Sequence, residues 1–73
     1  MELTEVQSQI LVDLLVNGHN PSGNIADNIS RSRTYTSESI QSLIEMGLIE
    51  DKGRKTYKLT DAGVAIAQNR DVD

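Results

Sequence analysis

The chain has 73 residues, of which 37% are hydrophobic and 25% charged, the mixture of an ordered globular domain rather than of a disordered chain. Seven Lys and Arg stand against eleven Asp and Glu, a net charge of −4, and there is no cysteine and one histidine, His19. These counts exclude a disulfide framework, a thiolate metal site and a catalytic cysteine, and they leave no credible constellation for an enzyme.

A domain of this size buries only about 60% of the surface its unfolded chain exposes, so it must use nearly every apolar residue it has. With two tyrosines and no Phe or Trp, the core has to be aliphatic. The N-terminus Met1-Glu2-Leu3-Thr4-Glu5 is acidic where a signal peptide is basic, and no apolar run approaches the roughly 18 residues of a membrane span. The expectation is a single cytoplasmic domain over residues 1–73, frayed at about 1–3 and 69–73, with no membrane association.

Val6, Ile10, Leu11, Leu14 and Leu15 recur at three- and four-residue spacing and predict a first helix, with Thr4 and Gln7 as its capping box. Gly18 is expected to end it in a left-handed conformation, and Asn20-Pro21 to prevent its resumption. Val12 and Val16 fall off the main stripe and imply a second apolar contact, with the last helix or with a partner subunit. His19, without a second ligand nearby, reads as a loop residue.

Ser22 is placed to cap a short second helix whose Ile25 and Ile29 face the core and whose small Ala26 permits a close helix crossing. Ser30-Arg31 forms the turn, and Ser32 caps a third helix from Arg33 to about Met46. Thr36, Ile40, Leu43 and Ile44 face inward on this helix. Arg33, Thr34, Ser37, Glu38 and Gln41 are thereby turned outward, with Tyr35 at the boundary.

After Gly47, Leu48-Ile49 opens one strand and Thr56-Tyr57-Lys58-Leu59 forms another, joined by a turn with Gly53 at positive φ. Alternation puts Tyr57 and Leu59 on the core face and Lys58 on the other. Thr60 caps a last helix through Val64 and Ile66, in which alanines 62, 65 and 67 allow close packing.

Charge is unevenly distributed along this order. From Arg31 to Lys58 there are six basic residues (Arg31, Arg33, Lys52, Arg54, Lys55, Lys58) and four acids, whereas outside that window only Arg70 opposes seven acids. A basic face on an acidic body is the electrostatic footprint of a phosphate-bearing partner. The simpler reading of the same residues is a solvated hairpin tip whose charges block edge pairing.

Ile25, Ala26, Asp27 and Ile29, then Ser32-Arg33, Ser37, Leu43, Gly47-Leu48-Ile49, Tyr57, Leu59-Thr60 and Gly63, resemble the winged-helix transcription regulators, broadly of the multiple-antibiotic-resistance regulator kind. More narrowly they resemble small archaeal repressors related to the repressor of the haloarchaeal virus phi-H, over residues 4 to 67. The resemblance implies an α+β fold, a winged helix-turn-helix of three helices, a two-stranded β-hairpin wing and a C-terminal helix. It implies a sequence-specific regulator, a repressor, that binds double-stranded DNA as a homodimer, with helix 33–46 in the major groove and hairpin 49–59 on the flanking backbone or minor groove.

On that reading the DNA-binding set is Arg31, Ser32, Arg33, Thr34, Tyr35, Ser37, Gln41, Lys52, Arg54, Lys55 and Lys58. Arg33 can pair with guanine or clamp a phosphate, Gln41 can read adenine, and Ser32 and Thr34 can hold a phosphate at the helix N-terminus. No cofactor, metal or small-molecule ligand is indicated. The chain departs from the family pattern at Ser30 (a turn glycine), Arg31 (an apolar residue) and Thr36 (a valine), and Glu38 on the reading helix repels phosphate unless it accepts from a cytosine amino group. Thr36 is tolerable there if its hydroxyl bonds back to the helix. The competing reading is a winged helix that docks another protein and reads no DNA.

Overall fold

Helix α1 (Glu5–Asn17) starts as its sequence requires: the Thr4 hydroxyl accepts from the Gln7 N–H at 3.1 Å, and the Gln7 side chain accepts from the Thr4 N–H at 2.9 Å. This computed structural model describes residues 2–72, with side chains described for residues 2–69, so part of the expected fraying, at Met1 and Asp73, lies outside the described residues. Gly18 ends the helix at φ 82° and ψ −86° rather than in the left-handed helical region. Its N–H still bonds the Leu14 carbonyl at 2.9 Å.

The next three residues form strand β1 (His19–Pro21), so the expected loop is an edge strand and His19 is part of a sheet. Helix α2 (Ser22–Ile29) follows directly. Its N-cap position is Pro21, which has no side-chain acceptor, and Ser22 is its first helical residue instead of its cap. Ser30 ends α2 in the left-handed region at φ 59° and ψ 45°, and the Arg31 N–H bonds the Ala26 carbonyl at 3.0 Å. The glycine of the family pattern is therefore dispensable for the shape of the turn, although a non-glycine residue there costs about 1–2 kcal/mol.

Helix α3 (Arg33–Glu45) is capped by Ser32, whose hydroxyl accepts from the Tyr35 N–H at 3.1 Å. Strands β2 (Ile49–Asp51) and β3 (Thr56–Leu59) form the hairpin, and helix α4 (Asp61–Val72) closes the chain, running beyond the expected end near Ile66. The sheet has three antiparallel strands in the order β1-β3-β2. Lys58 lies between His19 and Glu50, and Tyr57 between Asn20 and Asp51.

The core is aliphatic as expected: Val6, Ile10, Leu11 and Leu14 of α1 meet Ile25, Ile40, Leu43, Leu48, Ile49 and Leu59, with Tyr57 at its edge. α4 packs along α1, but of its three alanines only Ala67 is buried. The close approach falls at Gly63, where a Cβ would run into the Leu48 carbonyl. No described helix is long and apolar enough to cross a membrane.

Candidate nucleic-acid interface

Every side chain expected at the interface is exposed. Arg31 and Ser32 occupy the α2–α3 turn, and Arg33, Thr34, Tyr35, Ser37 and Gln41 lie on the solvent side of α3, opposite buried Thr36, Ser39, Ile40 and Leu43. The helical repeat alone produces this division, because residues three and four apart share a face. Tyr35 is 45% exposed, which places it on the outer surface rather than under the turn. Glu38 is exposed among these residues and has no ion pair among the described residues.

The hairpin has more structure than its sequence suggests. Asp51 accepts from the Gly53 N–H at 2.7 Å, and the Thr56 N–H bonds the Gly53 carbonyl at 3.0 Å. Gly53, Arg54 and Lys55 then take φ values of 87°, 54° and 58° in succession. Two non-glycine residues are held in a conformation that costs about 1–2 kcal/mol each, so the tip needs an external tether. That tether is the Ser22 N–H, which donates to the Lys55 carbonyl at 2.9 Å.

This bond brings the hairpin tip to the start of α2. The same end of α2 carries the Arg33 side chain, since a Cβ on Gly23 would stand 3.6 Å from the Arg33 guanidinium carbon. With no side chain capping α2, the first-turn amides that follow Ser22 add partial positive charge beside Arg33 and Lys55. The arrangement can therefore hold an anion of the phosphate class. Ser22 and Gly23 were not expected in this neighbourhood. The one local clue was a proline at the helix entry, which cannot supply a cap.

The four hairpin cations divide into two pairs. Arg54 and Lys55 occupy the strained tip, whereas Lys52 and Lys58 border a cleft between the end of α1, the Leu59 end of β3 and α4. Lys52 makes the one ion pair among the described residues, 3.6 Å from Glu50, with both side chains 47% exposed, and such a pair contributes little to stability.

The family described as sugar-specific transcriptional regulator TrmB matches the chain over residues 1–63. The chain belongs to the TrmB family. Membership makes it a domain of a transcription regulator and not of an enzyme. Wild-type ZitR of Lactococcus lactis superposes on this TrmB-family chain with a TM-score of 0.90 at 24% identity, over 99% of the chain and 51% of ZitR. ZitR in complex with DNA gives 0.85 at 23% identity, over 99% and 53% of the two chains. The reduced form of MarR from E. coli gives 0.88 at 18% identity, over 96% and 52%. These likenesses establish the winged-helix fold, and the chain spans about half the length of the solved structures it matches. No curated protein matches it by sequence.

Proposed function

We propose that the chain binds duplex DNA as a sequence-specific regulator, with α3 in the major groove and the tip of the β2–β3 hairpin on the flanking backbone or minor groove. The observation that carries this reading is the hydrogen bond from Ser22 to Lys55, which gathers the hairpin tip, the uncapped start of α2 and Arg33 on one side of the molecule. The DNA complex of ZitR, of the same fold, supports it. A major groove about 12 Å wide admits a helix, and the exposed face of α3 supplies the residue types that read base edges.

In this reading Arg33 clamps a phosphate or pairs with guanine, Gln41 reads adenine, and Thr34, Ser37 and Tyr35 make the remaining contacts along α3. Arg31 and Ser32 meet the backbone at the turn. Arg54 and Lys55 are the wing contacts, while Lys52 and Lys58, at the base of the hairpin, contribute through their field. Repression follows most simply, because a bound domain blocks competing factors from the same site. The proposal extends to a cytoplasmic homodimer on an inverted repeat and to kinship with the small archaeal repressors related to the phi-H repressor. Val16, 71% exposed beside Val12 and Ile29 along a groove on α1, supports a second protein surface.

Fluorescence anisotropy with duplexes selected from a random pool tests the DNA reading. Binding weakens with salt, and an Arg54→Ala/Lys55→Ala variant has a log–log salt slope shallower by about 2, one unit for each lost phosphate contact. Salt-independent binding, or none, transfers the groove along α1 to the competing reading, a protein-docking winged helix. Sedimentation equilibrium at micromolar concentration tests the dimer, which a monomer mass overturns.

A further inference from the structure

At the end of the sheet, where Leu59 of β3 meets the end of α1 and the start of α4, lies a cleft of about 470 Å³. Its floor is Leu14 and Leu15 at the end of α1, Leu59 of β3 and Val64 of α4. Its rim carries Lys52, Lys58 and His19. The volume falls within the roughly 300–1,000 Å³ range of small-molecule sites, and the lining combines an apolar floor with a few converging polar groups, as such sites do.

Three features narrow the occupant. The lining contains no carboxylate, although acids outnumber bases eleven to seven in the chain. Lys58 has no ion pair among the described residues, and Lys52 has only the half-exposed Glu50. The floor is wholly branched-aliphatic, with no aromatic ring on which a planar ligand could stack. A single anionic group at the rim, joined to a flexible alkyl body over the floor, satisfies all three.

We propose that this cleft binds a medium-chain aliphatic carboxylate, its carboxylate between the Lys52 and Lys58 ammonium groups and its chain along Leu14, Leu15, Leu59 and Val64. Leu15 and Val64 are only half-buried, so the alkyl chain covers apolar surface that the fold leaves wet. The inference stands independently of DNA binding, since its readout is the ligand on the chain itself.

The test is a titration of the isotope-labelled chain with hexanoate, octanoate and decanoate, followed by amide and methyl NMR shifts. Saturable shifts are expected at Leu15, Gly18, His19, Lys58 and Val64, with affinity rising about fourfold per added methylene. Decanol, which lacks the charge, is expected to bind the wild-type chain at least tenfold more weakly than decanoate does, and decanoate to bind a Lys52→Ala/Lys58→Ala variant, folded by its retained spectrum, at least tenfold more weakly than the wild type. Equal binding of decanol, an unaffected double variant, or shifts spread over the whole chain without saturation overturns the proposal. So do shifts at the same residues on raising protein concentration alone, which assign the cleft to a second copy of the chain.

Discussion

Thr36 is fully buried in α3, yet its hydroxyl oxygen has no hydrogen-bond partner, so the expected bond back to the helix is not made. An unsatisfied buried polar group costs about 1–3 kcal/mol, and a methyl group of the same shape removes the penalty. Thr36→Val is expected to raise stability by about 1 kcal/mol, read as a higher urea midpoint at unchanged slope. Tyr57 supplies a second test at this scale. Burial raises its hydroxyl pKa above 10.0, and the charge of Asp51, its cross-strand neighbour, adds to the rise. The folded state then holds that proton more tightly than the unfolded chain, so its contribution is intact below the unfolded value and lost as pH climbs through the folded one. Tyr57→Phe is expected to lose less stability than the wild type between pH 9 and pH 11, as followed by chemical denaturation.

Among the elements, α4 depends on a missing side chain. Alanine favours helix over glycine by about 1 kcal/mol, but at Gly63 a Cβ meets the Leu48 carbonyl. Gly63→Ala is therefore expected to destabilise the fold by about 1–3 kcal/mol in calorimetry or denaturant unfolding, the usual effect of overpacking. The hairpin tip shows the opposite balance. Lys55→Gly relieves a left-handed lysine and is expected to gain about 1 kcal/mol of stability, while making the salt slope of DNA binding shallower by about 1. These cases also show what a sequence makes legible. The capping box and stripe of α1, the Ser32 cap and the exposed face of α3 follow from spacing within a few residues, and they could be read directly. β1 could not, because three residues carry no periodicity and become a strand only by pairing with β3. Likewise, alanines 62, 65 and 67 were the local signal for close packing, whereas the contact at Gly63 depends on a distant carbonyl. The candidate interface divides the same way: its residues were legible on their faces, but the meeting of Ser22, Arg33 and Lys55 joins segments far apart in the chain.

Over the whole molecule, net charge is a poor guide to where an anion is attracted. At physiological ionic strength the Debye length is about 8 Å, so a phosphate senses the charges near it rather than the sum of −4. Glu38→Gln and Glu5→Gln change that sum equally, but Glu38 stands on the exposed face of α3 and Glu5 on the groove side of α1. The first is expected to tighten DNA binding several-fold at low salt and the second to leave it nearly unchanged, as measured by anisotropy. The bond from Ser22 to Lys55 has a consequence at this scale as well. Because the hairpin tip is tied to the first residue of α2, the wing cannot swing away without freeing the amide that begins the helix-turn-helix. The backbones of the two halves of the candidate interface are thus joined before any partner arrives, and the ordering cost on contact falls on the exposed side chains they carry.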